Sequence, residues 1–342
     1  MALSSQALNS SSNGKPTADG PPAHNDCPFS LFNSASWVPY MQLMRLDRLA
    51  GFTGYYMPSI MGLVYAASLV GLEAVSVAQL GGWAVFYFVV NIFVRGAACT
   101  WNDNIDQEYD RQVDRCRGRP IARGAVSTRQ GHIFLALQLA ILGALFYPLP
   151  SPCGSYAIAM GALYGLYPFC KRFTHYPQAI LGVPLSLAIV ISAYALPVAV
   201  ADPFLDDKRT AATLALAVVE ILWTMIYDTI YAHQDLQDDI RAGVKSMAVR
   251  FRHYTKTLCS VLGVAQVVLL AQVGVWTEMH PVYFVIGVAG SAVALTVLLV
   301  TVDLTVPASC ARFFKLGFCF VGGCMNGGFL ATYLVKWWFG AG

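Results

Sequence analysis

An all-α, polytopic membrane fold is predicted by three features of this 342-residue sequence: 56% of its residues are hydrophobic, only 12% are charged, and its apolar stretches are long and unbroken. A soluble domain carries about 25% charged residues, and apolar runs longer than about 18 residues mark bilayer spans. Lipid cannot hydrogen-bond a bare backbone, so spans must be helices or a closed barrel. The runs lack the two-residue alternation of barrel strands, so helices are predicted. A mean hydropathy of +0.54 agrees.

In chain order, residues 1–36 are rich in Ser, Asn, Gly, Pro and Ala and are expected to be a disordered tail, because that composition cannot bury enough surface to fold. The tail shows neither the Arg-rich pattern of a transit peptide nor the early apolar core of a signal peptide. The first span is therefore expected to act as its own insertion signal. Residues 37–342 are expected to form a single transmembrane domain. Nine apolar segments fall at about 51–71, 79–101, 131–149, 154–170, 178–200, 211–231, 257–277, 281–302 and 311–335. Pro58, Pro168, Pro184 and Pro197 are of a kind that membrane bundles tolerate. Gly317, Gly322, Gly323, Gly327 and Gly328 are expected to let the last helix approach its neighbours closely. The nine cysteines are scattered without CxxC spacing, which argues for small apolar fillers rather than a zinc site or disulfide framework.

Lysine and arginine fix the expected orientation. With nine spans, the side bearing the N-terminal tail and loops 2–3, 4–5, 6–7 and 8–9 carries 19 of the 22 basic residues. The other side carries only Lys208, Arg209 and Lys336. The first side is expected to face the cytosol.

Nine of the 19 acidic residues lie in two short stretches, Asp103 to Asp114 and Asp228 to Asp239, at that same end of helices 2 and 6. Asn102, Asp106 and Asp110 are spaced i, i+4, i+8, and Asp228, Asp235 and Asp239 are spaced i, i+7, i+11, so each set is expected on one helical stripe. Like charges so placed repel unless cations lie between them. Carboxylates at an apolar boundary are also costly to desolvate and are functional by default. Oxygen-only ligands without patterned His or Cys favour Mg²⁺, Mn²⁺ or Ca²⁺. Mg²⁺ takes one or two carboxylates and completes its shell with water and phosphate oxygens. Two facing half-sites thus suit a diphosphate. Lys171 and Arg172 at the end of helix 4 are placed to bind its oxygens, or to anchor the helix at the membrane surface.

At these residues the sequence resembles the UbiA family of intramembrane aromatic prenyltransferases. Asn102-Asp103-x-x-Asp106-x-x-x-Asp110, preceded by Arg95-Gly96-Ala97-Ala98-Cys99, is similar to the family's NDxxDxxxD motif. Arg119-Pro120-Ile121-Ala122 resembles the segment that follows it, and Tyr167 to Lys171 the YxxxK element. Tyr227 to Asp239 with Gly243-Val244-Lys245-Ser246 resembles the second acidic motif, and Met44-Arg45-Leu46-Asp47-Arg48 the entry to helix 1. The likeness covers roughly 40–335. It implies nine helices around a central cavity, Mg²⁺ as cofactor, and prenyl transfer to an aromatic acceptor. It further implies that Asn102, Asp106, Asp110, Asp235 and Asp239 serve the metal and that Tyr167, Lys171 and Arg172 hold or orient the substrates. Arg45, Asp103 and Lys245 join the diphosphate- and substrate-binding set. One departure is Ser246-Met247-Ala248, where ubiquinone-pathway members typically read Ser-Thr-Ala.

In such a mechanism metal neutralises the departing diphosphate, and a dry, aromatic-lined cavity protects and stabilises an allylic cation. Tyr56, Phe86, Phe88, Tyr164 and Trp223 are aromatic candidates by location, and Asp228 is the candidate base for the ring proton. The pattern looks most like fungal enzymes that farnesylate an aromatic polyketide in meroterpenoid biosynthesis, in the endoplasmic reticulum or Golgi. Expected partners are farnesyl diphosphate, an orsellinic-acid-type phenolic acid and the lipid bilayer, with no nucleic acid. The alternatives are 4-hydroxybenzoate polyprenylation for ubiquinone in the mitochondrial inner membrane, and, from another class, a membrane transporter whose acidic residues line a cation path.

Overall fold

A computed structural model describes residues 37–71, 74–196 and 202–340, and every regular element among them is a helix. The tail expected over 1–36, with Lys15 and Cys27, lies outside the described residues, as does Pro197. A short α1 (Val38–Leu43) leads into α2 (Phe52–Val70) and α3 (Val77–Ile105), followed by the short α4 (Gln107–Asp110). Then come α5 (Thr128–Phe146), α6 (Ser151–Phe173), α7 (Pro177–Tyr194) and α8 (Asp207–Ala232). The short α9 (Leu236–Arg241) and α10 (Met247–Arg250) precede α11 (Thr255–Trp276). Next, α12 (Pro281–Tyr283) and α13 (Gly290–Thr301) are joined by a π-helical stretch, Phe284–Ala289. A second π stretch, Phe318–Gly322, joins α14 (Pro307–Gly317) to α15 (Gly323–Gly340).

The starts of these helices follow from local chemistry. Ser76 with Gln79 and Ser127 with Gln130 form reciprocal capping boxes at α3 and α5. The Asp206 carboxylate accepts from the Arg209 amide at 2.9 Å to cap α8. Proline, which has no N–H to lose, opens α7 and α14.

Each expected span coincides with a helix, but not all qualify equally. Among the described residues, seven helical segments are long and apolar enough to cross a bilayer: α3, α5, α7, α8 with α9, α11, α12–α13 and α14–α15. The other two, α2 and α6, are helices of 19 and 23 residues. Their tyrosines, glycines, serines and prolines dilute their apolarity, so the expected nine come to seven on length and composition.

The surface is inverted relative to a soluble protein. On α11, Val261, Val264, Val268 and Val275 are each at least 60% exposed along one face, while Cys259, Gln266, Leu270 and Val273 are buried on the other. A contiguous valine face of this kind needs an apolar solvent. Inside, α2 packs on α3, α7 and α15, and α7 lies between α6 and α8. Polar pairs join the helices: Asn91 Nδ2 donates to Ser59 Oγ at 2.9 Å, Gln138 Nε2 to Thr100 Oγ1 at 3.1 Å, and the Tyr65 and Thr213 hydroxyls bond at 3.2 Å.

Small residues allow the closest crossings. A Cβ on Gly62 of α2 would strike the Ile189 carbonyl and Ser192 Oγ of α7, and one on Gly182 of α7 would lie 2.8 Å from the Ile221 Cα of α8. Among the five glycines expected to pack the last helix, Gly328 abuts Gly287 and Gly317 abuts Trp223. Gly322 and Gly327 make only ordinary contacts, and Gly323 faces open space, so the close packing belongs to two of the five. Gly62→Leu should therefore destabilise the detergent-solubilised protein by about 2 kcal/mol or more, read as a lowered thermal midpoint. Gly81→Leu, at a position with nothing within 4 Å, should leave the midpoint in place.

Candidate functional site

Asp106 caps α3 with φ −93° and ψ 5°, and the chain restarts as α4 at Gln107. The second acidic stretch breaks likewise: α8 ends at Ala232, a 3₁₀ turn covers His233–Asp235, and α9 follows. Neither expected stripe therefore lies on one continuous helix. Aspartates clustered at a helix end favour such breaks, because their side chains compete for nearby backbone groups and gain from the N-terminal end of a new helix, where Asp238 and Asp239 lie in α9. The breaks do not disperse the carboxylates. Asn102, Asp106, Asp110, Asp228, Asp235 and Asp239 all line one cavity of about 830 Å³ between α2, α3, α6, α7, α8 and α14.

The repulsion within that set is relieved by the chain's own cations. Arg115 clasps Asp235 with Nε 2.9 Å from both carboxylate oxygens and Nη2 at 2.5 Å, and its guanidinium lies 5.6 Å from the centre of the Tyr231 ring. Arg119 Nη1 reaches Asp110 at 2.8 Å and Asp103 at 3.2 Å. Lys171 Nζ lies 3.2 Å from Asp106 Oδ2 and 5.9 Å from the centre of the Tyr167 ring. Burial pulls the Arg119 guanidinium down, but Asp103 and Asp110 outweigh it, so the proton is held more tightly than usual. Burial pushes Asp110 up to about 6 against the pull of Arg119.

Arg45 is held by an unusual backbone. Its φ of +57° is left-handed, costing about 1–2 kcal/mol for a side chain with a Cβ. The turn aims Nη2 at Asp103 Oδ1, 2.6 Å away, and Nη1 at the Gln42 carbonyl, 2.9 Å away. Arg95 supports the turn from α3, donating to the carbonyls of Arg45 at 2.9 Å and Arg48 at 2.7 Å.

Of the residues expected at the site, Arg45, Asn102, Asp106, Asp110, Tyr167, Lys171, Asp228, Asp235 and Asp239 line the cavity. Three others do not. Asp103 is 1% exposed and sits behind the wall as the shared ion-pair partner of Arg45 and Arg119. Arg172 turns outward, 5.2 Å from the Phe169 ring centre and 5.8 Å from that of Tyr109, and donates to the Ile105 carbonyl. Lys245 contributes a backbone N–H to the Lys171 carbonyl at 3.1 Å, while Val244 and Ser246 beside it face the cavity. Met247, the departure from the ubiquinone-pathway pattern, is 1% exposed and lies outside the lining, its amide bonded to Gln178 Oε1.

Sequence reasoning also missed residues. Arg115 and Lys315 face the cavity but stood only in the count of basic loop residues, Tyr55 and Gln178 carried no signal beyond an apolar run, and Tyr227 stood only as the first residue of the second acidic motif. Among the aromatic candidates Tyr164 alone faces the cavity: Trp223 is 1% exposed, Phe88 is turned outward, and Tyr56 and Phe86 pack elsewhere.

The donor set suits a hard divalent cation shared with a substrate. Every anionic group on the wall is an oxygen donor, and Asp106 Oδ1 is buried without a hydrogen-bond partner. Among the described residues no three His, Cys, Asp or Glu side chains converge to hold a metal alone.

Comparison with known proteins shows the family and the fold. The profile of the UbiA prenyltransferase family matches residues 49–322. The prenyltransferase ascA of Acremonium egyptiacum is 41% identical over 269 residues, covering 77% of this chain and 78% of that protein. The mitochondrial 4-hydroxybenzoate polyprenyltransferase of Schizosaccharomyces pombe is 34% identical, covering 82% and 76%. The solved structure of a UbiA homolog from Archaeoglobus fulgidus bound to GPP and Mg²⁺ superposes with a TM-score of 0.61 at 17% identity, covering 87% of this chain and 98% of that one.

The ion pairs differ in what they support. Arg119→Ala leaves Asp110 buried without a cation and Asp103 with Arg45 alone, and should cost about 3 kcal/mol or more. Arg117→Ala, which removes an exposed pair with Asp114, should cost under about 1 kcal/mol. Thermal unfolding of the two purified variants measures both.

Proposed function

The chain belongs to the UbiA prenyltransferase family, and on that premise we propose that it transfers a farnesyl group from farnesyl diphosphate to a phenolic acid of polyketide origin, with Mg²⁺, in meroterpenoid biosynthesis. The observation that carries this reading is the meeting of both acidic sets with Lys171 and Arg115 around one cavity. We place the protein in the endoplasmic reticulum or Golgi membrane from its resemblance to fungal meroterpenoid enzymes, and the cavity mouth toward the cytosol from the excess of basic residues in the loops at that end. The 41% identity to the prenyltransferase ascA supports prenyl transfer as the reaction. A second reading, 4-hydroxybenzoate polyprenylation, is favoured by the 34% identity to the Schizosaccharomyces pombe protein.

In the proposed reaction the side chains exchange partners. An incoming diphosphate competes for Lys171 and Arg115, releasing Asp106 and Asp235 from their ion pairs. Together with Asn102, Asp110 and Asp239, the freed carboxylates would hold Mg²⁺, which would supply the charge that neutralises the leaving group. The allylic C–O bond breaks, diphosphate departs, and its electron pair leaves with it. Tyr164, Tyr167 and Tyr227 line the path inward, present ring faces to the cationic carbon and exclude water. The acceptor ring forms the new C–C bond at that carbon. Asp228, on the wall of the same cavity and separate from the ion pairs, takes the ring proton.

Membranes containing the protein, supplied with Mg²⁺, farnesyl diphosphate and a panel of phenolic acids, should yield a farnesylated phenolic acid by mass. Asp106→Ala and Asp239→Ala should each abolish it while the protein remains inserted; product from both would refute the shared-metal site. Lys171→Ala should lower turnover by about 10- to 100-fold, the worth of one charge-assisted contact. Arg172→Ala should change it by less than about threefold, because its guanidinium faces away from the cavity.

A further inference from the structure

One cation on the cavity wall is committed to nothing. Arg45, Arg115, Arg119 and Lys171 are each paired with an aspartate. Arg48 leans on Asp47 at 3.5 Å, and Arg95 is spent on the carbonyls of Arg45 and Arg48. Lys315 of α14 lines the same cavity and is exposed, and among the described residues its side chain has no ion pair and no hydrogen bond. An ammonium on a flexible stem suits a lone carboxylate, which it meets as a point charge.

The surroundings of Lys315 are those of an aromatic ligand. Its neighbour Phe314 also lines the cavity and packs on Tyr231 of α8, with ring centres 4.6 Å apart. Deeper in the bundle Tyr227 meets Phe318, with ring centres 4.8 Å apart. These two contacts are rungs between antiparallel chains, and Lys315 and Asp228 each stand one residue inside a rung. Their depths therefore agree to within about one 5.4 Å turn. They do not pair with each other, so both stay free for a ligand. The wall is also separate from the one that carries Lys171: α14 packs on α8 and the Leu49–Gly51 turn, whereas α6 packs on α3, α5 and α7.

We propose that Lys315 selects the acceptor: its ammonium takes the carboxylate of the phenolic acid, with the ring against Phe314 and Tyr231 and one edge toward Asp228. The inference rests on reading the cavity as a prenyl transfer site. A carboxylate and a diphosphate repel, so two anionic substrates in one cavity need cations on different walls. The diphosphate has to break ion pairs to reach Lys171 and Arg115. The acceptor's carboxylate reaches Lys315 without breaking any. That carboxylate takes no part in bond making, so the contact is the same before and during reaction. It therefore acts on acceptor KM and leaves kcat alone.

The test compares orsellinic acid with its methyl ester as acceptors in membranes bearing the full chain, with Mg²⁺ and farnesyl diphosphate fixed. Wild type should favour the acid in kcat/KM by about tenfold or more, the worth of one charge-assisted contact. Lys315→Met should raise KM for the acid by about 10- to 100-fold, and leave KM for the ester and for farnesyl diphosphate within about threefold. Lys315→Arg, which keeps the charge, should keep the preference for the acid. Turnover of the ester by Lys315→Met reports that the variant is folded and its donor site intact. If Lys315→Met is lost from the membrane, Lys315→Gln carries the same expectation. A lysine that only anchored α14 at the membrane surface would leave the acid-to-ester ratio where it was, and that result overturns the inference. So does a wild type that takes acid and ester equally, or a variant in which the donor's KM rises instead. Absence of prenylated product from wild type with either acceptor removes the reading of the cavity itself.

Discussion

The mouth of this bundle depends on one constraint: carboxylates drawn toward an apolar medium must be matched by cations. In a chain with so few charges, Arg115, Arg119 and Lys171 are committed to Asp235, Asp110 and Asp106 across three connections of the fold. Asp103 is the hub behind them, 1% exposed and paired with both Arg45 and Arg119. The network does two things with the same atoms. It makes the folded mouth electrically tolerable without a ligand, and it stores pairs that a polyanion with its counter-ions can replace one for one.

Much of this was legible in the sequence, because apolar runs and acidic clusters report on solvent and charge directly. Helices appear wherever the long apolar stretches lie, and the two acidic sets share one cavity as their common end of the bundle requires. What was not legible depends on backbone detail and on direction. A helical stripe assumes that the helix continues, whereas Asp106 and Asp235 each stand at a break. The convergence survives because each break is a tight turn. Lys171 and Arg172 are neighbours in sequence but point about 100° apart on a helix, so one faces the cavity and the other packs on Phe169. Arg115 reads as an ordinary surface cation until the fold brings it, 120 residues away in sequence, onto Asp235.

The same face of α6 displays the zoning of the interior. Lys171, Tyr167, Tyr164 and Met160 succeed one another at spacings of three or four residues, so the wall grades from charge through phenol and stacked ring to thioether within about 16 Å. Across the bundle, α2 and α7 meet so closely at Gly62 that their spacing is fixed by backbone. The rigid crossing holds the geometry, and chemical character is varied on the helices around it.

The two π-helical stretches have an implication for comparing or transplanting these helices. Each accommodates an extra residue in one widened turn, so the inward stripe before Phe284 is rotated relative to the stripe after Ala289, and likewise around Phe318–Gly322. Gly287 sits inside the first widened turn and meets Gly328 just beyond the second. A helical wheel drawn straight through either segment will misassign which side chains look outward on its far half, and a graft onto an ideal helix must delete one residue at each to keep register.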